Sequence, residues 1–280
     1  MHMQVFLQRA VFTIAAITGC VLMTIAPAPA QSVETCKWGT SPGGTCVCDL
    51  RELRPLQGAV GLGEVAKKMR DILDDPTGEK AALDKDPIKV VRGVGQNFFI
   101  VDHHHGALAW LKAGHTLGTR KYMAAIWTGE PAKFWTKVTI DHLARMQDKD
   151  GVPIAPASLP ATLDTMPDDP YRTLAWMLRK ADGYCRGLMK PAPPPFAEFR
   201  WADWMRFQYG LTADKVKEAA DLWLLKKKDR DAAKVAKQQA LLAVVVGLAK
   251  TAAAKDLPGY RGDIPDGDDR LKNCNPSGGD

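Results

Sequence analysis

The chain has 280 residues, 46% of them hydrophobic and 25% charged, and a formal net charge of +6. That is the balance of an ordinary soluble globular protein, which excludes low-complexity and collagen-like classes. The basic excess is mild: it is compatible with a polyanionic partner and does not require one.

The first thirty residues have the three parts of a cleavable export signal. Arg9 is the only Lys or Arg of the n-region, an apolar stretch runs from about Ala10 to Ile25, and Ala28-Pro29-Ala30 supplies a small-residue cleavage site before Gln31. An uncleaved anchor and lipidation at Cys20, within Ile17-Thr18-Gly19-Cys20, are the alternatives. The chain stays apolar after Cys20, where a lipoprotein turns polar, so cleavage after Ala30 is the expectation. Removal of the signal takes away one cation and no acid, which leaves +5 on the mature chain. The protein is then periplasmic or secreted, with no transmembrane anchor. The best later apolar run, Leu241 to Leu248, falls far short of the roughly 20 residues that a bilayer demands.

Five cysteines remain after the signal: Cys36, Cys46, Cys48, Cys185 and Cys274. An oxidising compartment makes disulfides the expectation. Cys46 and Cys48 are too close in sequence for an easy mutual bridge. Cys36 is therefore expected to join Cys46 or Cys48, and Cys185 to join Cys274. Because five is odd, one thiol stays out of these pairings.

In chain order, 31–48 reads as an exposed, Cys-bearing N-terminal segment and 49–57 (DLRELRPLQ) as a short extended stretch. Gly63 to Leu73 has helical spacing, with Val65, Met69 and Ile72 or Leu73 on one face, and Asp74 to Gly78 breaks it. PIKVVRG (87–93) and FFIV (98–101) predict a β-hairpin across GVGQN. Asp102 stands next as candidate N-cap of a helix over 103–113, with Leu108 and Leu111 inward and Gly114 as its stop. A strand over 120–127 and a helix over 134–146 follow. Beyond 150 the pattern turns helical: 168–184 opens with Pro170 at a first-turn position, KPAPPP (190–195) interrupts, and 196–210 is rich in aromatics. Long amphipathic helices are expected over 212–255. Trp201, Trp204 and Phe207 recur at helical spacing and read as core. The resulting division is 1–30 signal, 31–48 N-terminal segment, 49–150 α+β domain, 151–255 helical region and 256–280 loop-like tail.

The sharpest feature is Asp102-His103-His104-His105-Gly106, leaving a strand and entering a helix. A helix start offers backbone N–H groups without intrahelical partners and a partial positive charge, so it takes phosphate readily. Imidazoles add donors and acid/base groups that titrate near neutrality, and Gly106 allows close approach. Successive helical residues point about 100° apart, so three in a row do not converge on one metal. A phosphate-facing role, metal ligation by one or two imidazoles with a carboxylate, and a solvated helix start with one His packed beneath all stay open. Lys67, Lys68 and Arg70 face either a phosphate or solvent.

The segment RELRPLQGAVGLGEVAKKM, followed by PIKVVRGVGQNFFIVDHHHGALAWLKAG, resembles the ParB-like nuclease family of the ParB/sulfiredoxin superfamily. DDPYRTLAWMLRKADGY and PFAEFRWADWMR resemble the same family's C-terminal half, so the resemblance covers most of 50–210. It implies an α+β fold, a small mixed-sheet domain with a mainly helical C-terminal half, whose strand-helix junction holds nucleotide or nucleic-acid phosphates. Asp102, His103, His104 and His105 occupy that junction. Arg54, Gln57, Glu64, Lys67 and Arg92 are implied to line the same cleft. Sulfiredoxins carry a catalytic cysteine at the junction and this chain has none there, which disfavours sulfinic-acid repair. The recognition helices of a partitioning ParB are not recognisable, which disfavours chromosome partitioning.

Three functions follow from the resemblance and the address. The first is an exported nuclease or phosphodiesterase acting on nucleic acid or nucleotide. It would use His104 or His105 as acid/base and a divalent metal held by Asp102, His104 or Glu64, with substrate bound by His103, Gly106, Arg54, Gln57, Lys67 and Arg92. The second is a nucleotide-dependent phosphotransferase, disfavoured where ATP is scarce. The third is a non-enzymatic anion-binding protein. Fold alone does not choose among them.

Overall fold

The computed structural model describes residues 35–37, 39, 41–125, 130–185, 188, 196–209, 211–262, 264–265, 267–271 and 274. The expected export signal (1–30) and the Pro-rich break (190–195) lie outside them.

Short β-branched runs build a mixed five-stranded sheet: β1 (Thr45–Asp49), β2 (Leu53–Pro55), β3 (Ile88–Arg92), β4 (Phe98–Ile100) and β5 (Leu117–Ala125). Their order is β1-β5-β3-β4-β2. The predicted hairpin is β3 with β4, antiparallel and in register Val90 with Ile100. Its neighbours β5 and β2 run parallel to β3 and β4 respectively. The stretch expected to be extended over 49–57 is split by a 3₁₀ turn, Leu50–Glu52, which Asp49 caps by accepting the Arg51 N–H.

Strand residues alternate between faces, and the two faces feed different cores. Leu53, Ile88, Val90 and Ile100 pack with α1 (Leu62–Asp74) and α3 (His104–Lys112). Val91, Phe99 and Val101 pack against Phe134 and Val138 of α4 (Pro131–Ile140). On α1 the predicted face holds: Val65 and Ile72 are buried and Met69 packs beside them, while Leu73 is exposed. Asp74 to Gly78 does more than end α1. The Asp75 carboxylate accepts the Gly78 N–H and starts α2 (Pro76–Lys85), with Pro76 in the first turn. The α4 helix stops at Ile140, short of Met146, because Asp141 and the left-handed His142 (φ 54°) turn the chain.

The C-terminal half is helical as expected. Asp169 caps α5 (Pro170–Lys180) through the Tyr171 N–H. Next come α6 (Ala197–Asp203), continued by a π-turn Trp204–Gln208, then α7 (Ala213–Asp221) and α8 (Ala232–Ala249). Their shared core includes Trp201, Trp204, Tyr184 and Leu178. Phe207 departs from the expected core face and is 63% exposed. By length and mean hydropathy (1.3) α8 could cross a membrane, a property that the shorter run Leu241–Leu248 concealed; it buries Val245 and Ala249 against the other helices.

Two disulfides, Cys36–Cys46 and Cys185–Cys274, join four of the five described cysteines as expected. Cys48 is a buried thiol beside the Gly118 carbonyl, 3.5 Å away.

Candidate active-site cleft

The DHHHG segment lies where β4 hands over to α3. The Val101 N–H closes the sheet on the Lys89 carbonyl, and Asp102 Oδ1 accepts the His103 N–H at 2.8 Å. Sequence spacing pointed to Asp102 as N-cap. The capping position is instead His103, held left-handed at φ 67°, ψ 25° with no side-chain cap. That conformation costs a non-glycine residue about 1–3 kcal/mol and persists only where its surroundings impose it.

The kink sends the three imidazoles in different directions. His104 is 2% exposed, and its Nε2 accepts the Leu56 N–H at 3.3 Å. His105 is 8% exposed, and its Nε2 accepts the Gly61 N–H at 3.0 Å. An imidazole that accepts through Nε2 is neutral and carries its proton on Nδ1. Burial pushes the His104 pKa down to about 3, opposed by the Asp102 charge. Burial also holds His105 well below the usual histidine value, helped by the Arg172 and Lys68 charges. These two rings therefore clasp the glycine-rich loop 56–61 between β2 and α1. The loop is tight: a Cβ on Gly58 would sit 1.9 Å from the Gln147 carbonyl oxygen, and one on Gly61 2.6 Å from the Thr173 nitrogen. His103 stays half-exposed, with Nε2 3.2 Å from Asp86.

A cleft of about 410 Å³ opens beside this junction, lined by the cap His103 and by His104 to Ala107 of α3, by α1 and α2, and by Arg172 and Glu198 of α5 and α6. Of the residues singled out from sequence, Gln57, Glu64, Lys68, Asp102, His103, His104, His105 and Gly106 come together there. Arg54, Lys67 and Arg92 do not line it. Arg54 is exposed on β2, Lys67 is paired with Asp71, and Arg92 ends β3 against Phe98. Desolvation acts upward on the Asp102 carboxyl, and the His103, backbone N–H and Lys89 contributions outweigh it, leaving the carboxyl below its ordinary value.

Sequence reading missed Asp86, Lys89, Arg172, Arg179 and Glu198. Glu198 bridges Arg172 at 3.6 Å and Arg179 at 3.3 Å. The Arg172 guanidinium stacks 3.6 Å over the Phe199 ring. The local signal was faint: Arg172 and Arg179 stand seven apart, on one side of a predicted helix, where apolar residues are the norm.

Glu64, His105 and Glu198 each present a ligand-type atom, all within 4.8 Å of one another, so they are spaced to hold a metal ion. Each of the three has polar or charged protein neighbours. The His105 Nε2 that lies 3.5 Å from Glu64 also accepts the Gly61 N–H, Lys68 stands 3.9 Å from Glu64, and Glu198 serves two arginines. A cation there would compete with these neighbours; the donor set fits a metal in type and spacing.

Comparison with known proteins places this geometry. Residues 46–207 match the family described as "Putative ParB-like nuclease". The chain is similar to a solved structure, protein Atu1540 from Agrobacterium tumefaciens, at 26% identity and a TM-score of 0.61, covering 78% of this chain and 98% of that one. No curated protein matches. With a mixed sheet, a helical second half and a family match that spans more than half its length, the chain belongs to the ParB-like nuclease family.

Proposed function

We propose that this protein is an exported phosphodiesterase that binds a nucleotide or nucleic-acid phosphate at the start of α3 and hydrolyses it there. The observation that carries the reading is the half-exposed His103, 3.2 Å from Asp86, next to a helix start that opens into the cleft. The phosphate seats on the first-turn N–H groups of α3, where no side-chain cap competes and the space around Gly106 is open. His103, oriented by Asp86, takes a proton from water. The water oxygen attacks phosphorus, and the bond to the leaving oxygen breaks, with the proton returned to that oxygen. His104 and His105 hold the loop that shapes the cleft. This reading moves the acid/base role by one or two residues, because the Nε2 lone pairs of His104 and His105 are already used. The two disulfides are consistent with an exported protein, and the N-terminal 1–30 signal supplies the route.

The test is incubation of the protein from Gln31 with single- and double-stranded DNA and RNA and with a small phosphodiester. Each is run with and without Mg²⁺, Mn²⁺ or Zn²⁺. Turnover that falls by about 10²–10⁴-fold in His103→Ala agrees with the reading. Absence of cleavage under every condition overturns it. Nucleotide-dependent phosphate transfer to an acceptor would favour the phosphotransferase alternative, and binding without turnover the non-enzymatic one. Dependence on added metal would return the Glu64, His105 and Glu198 cluster to a metal-holding role.

A further inference from the structure

Within the phosphate-binding reading just proposed, the charge layout of the cleft bears on what kind of phosphate it takes. The chain carries a net charge of +6, yet the excess is not in the cleft. Five lining carboxylates, Glu64, Glu79, Asp86, Asp102 and Glu198, face three lining cations, Lys68, Lys89 and Arg172. At the buried back, Glu64 and Glu198 lie against the cations Lys68 and Arg172. Asp86 and Asp102 are at the mouth, with side chains 63% exposed, and share one cation, Lys89, at 3.5 Å from each. Arg172 is at the back, 3% exposed.

Arg172 is held in an unusual state. Its Nε and Nη1 make no hydrogen bond among the described residues, and its contact with Glu198, at 3.6 Å, is long for a charge-assisted hydrogen bond. The Phe199 ring lies against the face of the guanidinium and keeps water from it. Across the same cleft the Gln57 Oε1 is likewise buried without a donor. Buried polar atoms in this condition carry an uncompensated desolvation cost, which is relieved when a matching group arrives.

We propose that the cleft selects one compact ligand with a single anionic head, a phosphomonoester or a mononucleotide-sized phosphodiester. The head is seated toward Arg172 and a hydroxyl or other donor meets Gln57 Oε1. The Glu79, Asp86 and Asp102 mouth turns away a continuous polyanion. Polyanion binding rests on a track of cations that neutralises several successive phosphates. Here each phosphate flanking the first would face carboxylates, and like charges at contact distance repel even in bulk water. A volume of about 410 Å³ is that of a small-molecule site. The body of the ligand, at the mouth, is neutral or cationic.

The experiment measures calorimetric binding of inorganic phosphate, a mononucleotide and a twelve-nucleotide single strand to the chain from Gln31, at two salt concentrations. Expected is mononucleotide binding at least as tight as that of the twelve-mer, with a salt dependence of about one counterion. Arg172→Gln is expected to weaken phosphate and mononucleotide binding at least tenfold. Because Arg172 belongs to a buried ion cluster and its variant is at risk of misfolding, a second variant acts at the exposed mouth. Glu79→Gln is expected to raise twelve-mer affinity several-fold and leave phosphate affinity unchanged. Binding of the twelve-mer more than tenfold tighter than the mononucleotide, with a salt slope of several charges, overturns the compact-ligand proposal and leaves phosphate binding standing. Failure of all three probes to bind removes the phosphate reading itself.

Discussion

His103 combines an unfavourable backbone with a partly exposed imidazole, and this separates stability from function at one residue. Replacing it by glycine removes the penalty of the left-handed conformation (φ 67°). His103→Gly is therefore expected to hold or raise the urea midpoint of unfolding, by up to about 1 kcal/mol of stability, while abolishing turnover. A midpoint that drops by more than that would show that the side chain supports the fold. The neighbouring pair behaves oppositely. His104 and His105 are neutral when folded because burial depresses both pKa values, whereas an unfolded histidine titrates near 6.5. As pH falls below about 6.5, the unfolded chain takes up protons that the folded chain refuses, so stability falls, for His104 down to about pH 3. Above about 6.5 neither state holds the proton and the effect is gone. Each ring contributes a slope of up to about 1.4 kcal/mol per pH unit. His105→Gln offers an acceptor to the Gly61 N–H without titrating, so its urea midpoint is expected to depend less on pH between 4 and 6.5 than that of the wild-type chain. Equal slopes in the two proteins would refute this account.

At the scale of elements, Gly58 and Gly106 have opposite requirements. Gly58 is threaded against the Gln147 backbone, and a Cβ there meets backbone that cannot yield. Gly106, in the first turn of α3, has open space where a Cβ would go. Gly58→Ala is expected to destabilise by about 1–3 kcal/mol or to prevent folding. Gly106→Ala is expected to stabilise by about 0.5–1 kcal/mol through helix propensity, both read by thermal unfolding. The sequence disclosed the elements whose signals are local. The strand-like runs PIKVVRG and FFIV across GVGQN, helical spacing in α1, and Pro170 at a first-turn position all led to the right structure. It hid what depends on one residue's dihedral angles. The αL turn at His103 moves the start of α3 by one position and decides which imidazole faces the cleft, and no spacing rule reports it. Asp75 was legible as a helix breaker but not as the cap of the next helix, because the same residue type serves both. The site was half legible: the DHHHG junction, Gln57 and Glu64 were found, while Arg172 and Glu198 arrive from helices more than sixty residues downstream and only the fold brings them near.

Across the whole molecule, the two disulfides are unequal constraints. Cys36–Cys46 spans a separation of 10 residues within the N-terminal edge of the sheet, and Cys185–Cys274 spans 89 and ties the tail to the helical half. Loop entropy assigns about 2.8 kcal/mol to the short bridge and about 4.6 kcal/mol to the long one. The long bridge also fixes residues that complete the helical core: Tyr184, next to Cys185, stacks on Trp201 at 4.7 Å, and the Trp201 Nε1–H donates to the Pro258 carbonyl. Cys274→Ser is therefore expected to lower the melting temperature more than Cys36→Ser does. Denatured without reductant, the chain from Gln31 is expected to show one titratable thiol, Cys48, and to show five after reduction. The same difference links structure to address. Made in a reducing cytosol, the protein lacks both constraints and is expected to melt near the temperature of the doubly reduced form; made through an export route, it is expected to melt well above it. Equal melting temperatures for the oxidised and fully reduced protein would mean that the bridges add nothing to the fold, and would withdraw the structural support that they lend to export.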